Sequence, residues 1–333
     1  MERRCGGIDI AARMVQISAM RVSVILLTAV LALSVFPARA QTAPSPQPAA
    51  PAAAPSRYSA TITHYLDERW KPLRIEMVRG VALFKVTLGG HDAWMMLDNG
   101  ADRSLIDTKL LTPLGIRSET REGRVIRTPT GALPYRVALA VPLVIPGQLE
   151  IGMPMAAVDL SAFASALGHP VDAVLGADLL NHVVLALDAG RGLLELMPAG
   201  AKVDPAVQPI ALAKGKPQFE VIVDGKPVLL TIDLGFSGAL SLSPEAWARV
   251  GPSDAKTETR LSTHADGQAT SIDHASLPVV RIGEVERRNV GVDIRPIPAR
   301  DGDGWIGMGL MSQFAMVMDM TAGTLWLIPR EMR

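Results

Sequence analysis

Residues 84–98 read FKVTLGGHDAWMMLD, and residues 219–233 read FEVIVDGKPVLLTID. In both, a Phe opens a strand, a Gly stands eight residues before an Asp, and an apolar run carries that Asp into a glycine turn. The turns are Asp98-Asn99-Gly100 and Asp233-Leu234-Gly235, and the two Asp lie 135 positions apart. An acid at the end of a buried strand, followed by a glycine, exposes backbone N–H groups that favour its anion. Two such units, delivered by two copies of one fold, can bring two carboxylates to one pseudo-twofold axis.

The repetition continues downstream. The first half runs through Val174-Leu175-Gly176 into VVLALDAGRGLLELMP, which ends at Pro198. The second runs through Trp305-Ile306-Gly307 into FAMVMDMTAGTLWLIP, which ends at Pro329. Asp188 and Asp319 match, as do Gly192 and Thr324 in the turn that follows. The period is far too long for a solenoid and reads as domain duplication. Short apolar or alternating runs bounded by Gly, Pro or Asp predict strands over 82–88, 94–97, 183–187, 193–197, 219–223, 228–232, 315–318 and 324–328. Gly90 and Asp224-Gly225 mark hairpin turns. Helices are few and short. Ser243 as N-cap and Pro244 at the first helical position predict one over 244–250. Weaker signals stand at 108–114, 161–167, 178–182 and 309–314. The fold class is all-β, with a lobe over 58–200 and a second over 201–333.

The N-terminus reads as a leader. Arg13 and Arg21 precede the 15-residue apolar run 22–36, and Ala38-Arg39-Ala40 follows. That pattern predicts a signal peptide over 1–40 and an exported, periplasmic or secreted protein. The alternative is an uncleaved membrane anchor. Residues 41–57, rich in Ala and Pro, read as a flexible linker.

Composition excludes several chemistries. The single cysteine, Cys5, falls in the leader, so the mature chain has no thiol nucleophile. Beyond residue 40 there remain 28 Lys+Arg and 31 Asp+Glu, a balance that does not suggest nucleic acid. The six histidines show no metal-ligand spacing, and no G-x-S-x-G elbow or phosphate loop is present. No metal or other cofactor is called for.

The paired units resemble the aspartic peptidases of the pepsin and retropepsin type, and the bacterial retropepsin-like group in particular. That family carries a hydrophobic-hydrophobic-Asp-Thr/Ser-Gly motif in each half and, later, a hydrophobic-hydrophobic-Gly that crosses the Asp loop in a ψ-shaped arrangement. The resemblance spans residues 75 to 329. It implies two acid-protease-type β-barrel lobes with ψ-loops, related by a pseudo-twofold. It assigns Asp98 and Asp233 as the catalytic pair, with Asn99, Gly100, Leu234, Gly235, Ser237, Gly176 and Gly307 as the supporting loops. It also implies flap hairpins, for which Gly131 and Gly267 are the candidate tips; ordinary surface turns are the alternative. The implied partner is a peptide or protein substrate, and internal duplication makes a monomer sufficient.

The chain departs from the family where Thr or Ser follows the Asp. Asn99 and Leu234 stand there instead. Asn can replace part of a cross-lobe polar tie, whereas Leu cannot. Asp102 stands where the family has Ser or Thr, and an inward-pointing Asp102 would raise the pKa of Asp98. These departures leave two readings: an active endopeptidase, or a catalytically degenerate peptide- or partner-binding protein of the cell envelope.

Overall fold

The strand that delivers each acid runs beside the strand that carries the matching glycine motif. His91–Leu97 pairs in parallel with Ala173–Leu175, and Lys226–Ile232 pairs in parallel with Gly304–Ile306. Antiparallel to those glycine strands run Leu105–Asp107 and Leu240–Leu242. The chain therefore leaves each Asp, turns, and passes behind the segment that will end in glycine. This is the ψ-loop implied by the resemblance, and it occurs twice.

The computed structural model describes residues 61–128, 131–203, 207–263 and 268–330. The leader, the Ala/Pro-rich linker and Gly267 lie outside these residues. Among the described residues, no helix is long and apolar enough to cross a membrane.

Each half follows one strand order. In the first, Val81–Leu88 pairs with His91–Leu97, then come Ala173–Leu175, Leu105–Asp107, Leu149–Val158, Gly131–Ile145 and Ser118–Thr128. In the second, the order is Gln218–Val223, Lys226–Ile232, Gly304–Ile306, Leu240–Leu242, Val285–Ile294, Ala269–Ile282 and Glu258–Thr263. Each half closes on itself through one further pairing, Thr87 opposite Val144 in the first and Ile222 opposite Arg281 in the second. Closure removes the open edges between which a half-barrel would otherwise aggregate.

The halves are joined by a sheet of their own. Val183–Asp188 lies antiparallel to Phe314–Asp319, with Ala186 opposite Val317. Each of these strands also pairs with its own hairpin partner, Leu193–Pro198 and Thr324–Pro329. The central pair is buried along nearly its whole length, which explains why both strands are continuously apolar instead of alternating. One apolar core runs through both halves, anchored by Phe84, Phe219 and Phe314, each almost fully buried.

The strand expectations hold, each extended by one to three residues. The helix Pro244–Val250 forms as read, and Ser243 Oγ accepts the Ala246 N–H at 3.1 Å. The hairpin turns at Gly89-Gly90 and Asp224-Gly225 have φ of 54°, 86°, 48° and 74°, the left-handed pair a tight two-residue turn needs. Two expectations are corrected. The helix over 108–114 is a single 3-10 turn, Thr108–Leu110. Pro113 has no N–H with which to continue the ladder. The match of Gly192 with Thr324 is out by one: Asp188 pairs with Leu193 and Asp319 with Thr324, so Gly192 corresponds to Gly323, and both have φ of 65°.

Candidate active site

The two Asp loops meet. A Cβ on Gly235 would stand 2.4 Å from Asp98 Cγ, and one on Gly100 would stand 2.7 Å from Asp233 Oδ1. Each carboxyl therefore lies against the glycine of the opposite loop, and no other residue could occupy either position without pushing a carboxyl aside. Sequence alone gave glycine a turning role here; the structure adds close approach between loops.

Each acid is held by its own turn. Asp98 Oδ1 accepts the Gly100 N–H at 2.9 Å and the Ala101 N–H at 3.2 Å. Asp233 Oδ1 accepts the Gly235 N–H at 3.0 Å and the Phe236 N–H at 3.1 Å. The backbone N–H of each Asp donates at 3.0 Å to the residue before the distant glycine, Leu175 in one half and Ile306 in the other. The two loops are thus superposable in their bonding.

The glycines of the second motif serve the crossing. A Cβ on Gly176 would stand 2.4 Å from the Arg103 carbonyl carbon, and one on Gly307 would stand 2.3 Å from the Phe236 carbonyl oxygen. In the first half, a polar latch adds to the crossing. Ser104 Oγ donates to Asp178 Oδ1 at 2.7 Å and accepts the Gly176 N–H at 3.0 Å. The matching positions in the second half are Ala239 and Gly309, so repetition in the sequence carries no trace of this latch.

Asn99 is the only side chain of its kind in the pair of loops. Its amide nitrogen donates to the Ile232 carbonyl at 2.9 Å, and its amide oxygen accepts the Leu234 N–H at 2.8 Å. One buried side chain therefore ties the first Asp loop to both sides of the second. Leu234, at the matched position, contributes an apolar side chain that is fully buried. Asn99 thus supplies its own loop's part of the cross-loop tie, with both a donor and an acceptor, and Leu234 returns none.

The remaining residues sort by position. Asp102 does not point inward: its side chain is 78% exposed, and its carboxylate faces Arg300 Nη1 at 3.5 Å. Ser237 is exposed and lies against Gly80. Gly131 stands opposite Thr128 at the end of the hairpin Ser118–Thr128 and Gly131–Ile145. The strands flanking Gly267, Glu258–Thr263 and Ala269–Ile282, form the corresponding hairpin. Ile126, two residues short of the end of the first hairpin, packs on the apolar cluster that holds Val174, and Ala101 of the Asp98 loop packs on the same cluster. Asp188 and Asp319 are turn residues: Asp319 Oδ1 accepts the Thr321 and Ala322 N–H groups at 2.9 Å, and Asp188 Oδ1 accepts the Arg191 N–H at 3.0 Å.

The electrostatics follow from the packing. Burial pushes the Asp98 carboxyl above the ordinary carboxylate range, against the opposing pull of the Gly100 and Ala101 N–H groups. Burial, and after it the charge of Asp98, pushes Asp233 up to about 7; Asp301 adds a smaller push, and the Gly235 and Phe236 N–H groups oppose it. Two carboxyls in contact with each other's loops cannot both ionise readily, so the pair holds a proton across the acid range.

A family model described as aspartyl protease matches residues 84–179 and matches again over residues 219–310. The chain belongs to the aspartyl protease family. Each match begins at the Phe that opens a repeat and ends just past its ψ-loop glycine, so the family's unit and the structural repeat coincide. No curated protein sequence matches the chain.

Proposed function

We propose that this aspartyl protease family member is an active endopeptidase that hydrolyses peptide bonds with Asp98 and Asp233. The observation that carries the reading is the mutual packing of each carboxyl on the opposite loop's glycine, which brings two acids of raised proton affinity to one point. Asp233 carries the heavier negative surroundings and holds the shared proton at rest. Asp98 is the base. It takes a proton from a water molecule as that water attacks the scissile carbonyl carbon, while Asp233 gives its proton to the carbonyl oxygen. The tetrahedral intermediate then collapses. The C–N bond breaks as the leaving nitrogen takes the proton that Asp98 had accepted, and a hydroxyl of the intermediate returns its proton to Asp233, which restores the singly protonated pair. The atoms balance with one water consumed, and no covalent enzyme intermediate forms.

The substrate is an extended peptide held by strand-like pairing with the hairpins Ser118–Thr128/Gly131–Ile145 and Glu258–Thr263/Ala269–Ile282. The basic flank, apolar run and Ala38-Arg39-Ala40 site support export to the periplasm or medium.

The second reading, a peptide-binding protein without turnover, rests on Leu234, which cannot return the tie that Asn99 makes. Cleavage of a peptide library decides between the two. The wild-type chain is expected to hydrolyse it at acid pH, and Asp98→Asn and Asp233→Asn to lose at least about 100-fold while keeping a native circular-dichroism spectrum. Undiminished hydrolysis by both variants refutes the catalytic assignment. A wild-type chain that binds library peptides at micromolar affinity without cleaving them establishes the second reading.

A further inference from the structure

A short turn stands between the two Asp loops and belongs to neither. It is the 3-10 turn Ala299–Asp301, which precedes the strand carrying Trp305. The Arg300 carbonyl accepts the Lys216 ammonium at 2.9 Å, and three further bonds fasten the turn to the root of the second loop. The Arg300 carbonyl accepts Gln218 Nε2 at 2.7 Å, the Asp301 carbonyl accepts Thr231 Oγ1 at 2.9 Å, and Asp301 Oδ2 accepts Trp305 Nε1 at 3.1 Å. Thr231 and Trp305 are themselves register partners in the two strands that lead to Asp233 and Gly307. Asp301 is therefore fixed close behind Asp233.

The Arg300 guanidinium crosses to the other half. Its Nε stands 3.6 Å from Asp301 Oδ1, and its Nη1 stands 3.5 Å from Asp102 Oδ2, four residues beyond Asp98. One cation thus touches a carboxylate associated with each loop, and among the described residues no other ion pair joins the Asp loops' immediate neighbours across the two halves.

We propose that Arg300 is a positioning residue for the dyad: a cation set across the seam between the two Asp loops that screens Asp233 from Asp301. The groups facing Asp233 are Asp98 from the first loop, the Gly235 and Phe236 N–H groups from its own loop, and Asp301 from the turn. Of these, only Asp301 has a cationic partner, and that partner is Arg300. Without Arg300, the full charge of Asp301 acts on Asp233 and favours the protonated pair. The catalytic window then moves to higher pH, because the loss of the last shared proton is delayed. Removing the charge of Asp301 acts in the opposite sense. Since the Arg300 side chain is 58% exposed, solvent limits the effect to a fraction of a pH unit.

This inference rests on the dyad of the proposed function, and its test is chosen to be read with or without turnover. The full chain, labelled with carboxyl-13C aspartate, is titrated by NMR as wild type, Arg300→Met, Arg300→Lys, Asp301→Asn and the double variant. In parallel, the pH profile of kcat/KM is recorded on fluorescein-labelled casein. Arg300→Met is expected to raise the upper apparent pKa of the Asp98–Asp233 pair by roughly half a pH unit, and Asp301→Asn to lower it. Arg300→Lys is expected to restore most of the wild-type value, and the double variant to fall near Asp301→Asn. The basic limb of the casein profile moves with the titration. Titration curves that coincide in wild type, Arg300→Met and Asp301→Asn overturn the proposal. Movement of the pair's pKa in a chain that cleaves nothing supports the positioning role and refutes only the turnover.

Discussion

Asn99→Ala removes the one side chain that ties the two Asp loops. Two buried bonds are lost, from the amide nitrogen to the Ile232 carbonyl and from the Leu234 N–H to the amide oxygen. Each loss leaves a backbone group without its partner, at about 1.5 kcal/mol apiece and about 3 kcal/mol together. Roughly 260 ordered residues at about 2.1 cal/mol/K each give an unfolding entropy near 0.55 kcal/mol/K, so the expected fall in Tm is about 5 °C. Because the lost bonds hold one Asp loop to the other, the dyad should loosen as well, and kcat should fall by more than KM rises. Asn99→Thr is the informative partner: its hydroxyl both donates and accepts, and it should recover about half of the lost stability. Differential scanning calorimetry at fixed pH reads the first effect, and casein kinetics the second. A Tm change below about 1 °C in Asn99→Ala, with kcat unaltered, would refute the tie.

Three further outcomes follow from the same geometry. Gly235→Ala would drive a methyl to 2.4 Å from Asp98 Cγ, so it is expected to abolish casein hydrolysis; full activity would contradict the contact. Stability should depend on pH through Asp233, whose folded value of about 7 lies above its ordinary 3.8. Between those values the unfolded chain binds fewer protons than the folded one, so this group's contribution falls as pH rises from about 4 to 7 and then levels. Asp233→Asn is accordingly expected to stabilise the fold at pH 8 by up to about 4 kcal/mol and to leave it nearly unchanged at pH 3; urea unfolding at the two pH values checks it. Ser104→Ala removes the latch on Asp178 and Gly176, and is expected to cost about 1–2 kcal/mol, whereas Ala239→Ser in the other half has no partner to meet and gains nothing.

The fold was legible wherever one segment announces itself twice. The Asp turns, the glycine motifs and the hairpins flanking them rest on local chemistry, and local chemistry is written in adjacent residues. The helix at 244–250 was legible for the same reason, since Ser243 and Pro244 cap it in place. Pairing across great separation is not written that way. The strands Val183–Asp188 and Phe314–Asp319 each read correctly as strands, but nothing in either says that they meet at Ala186 and Val317. The site divides similarly. Asp98 and Asp233 followed from repetition, whereas the reach of Asn99 depends on a contact 135 residues away, and Arg300 meets Asp102 across 198. The Ser104–Asp178 latch breaks the repeat, so a reading guided by repetition passes over it. Asp102 faces outward, beside a cation from the other half that its own neighbours in sequence do not announce.

The account stands on two carboxyls sharing one site, and a titration of Asp233 with and without its partner tests that most directly. Carboxyl-13C NMR of the full chain is recorded for wild type and for Asp98→Asn. With Asp98 present, Asp233 is expected to titrate near 7; without it, the value should fall, yet stay above 3.8 because burial persists. Identical titration of Asp233 in both proteins would mean that the carboxyls do not share a site, and would contradict the account.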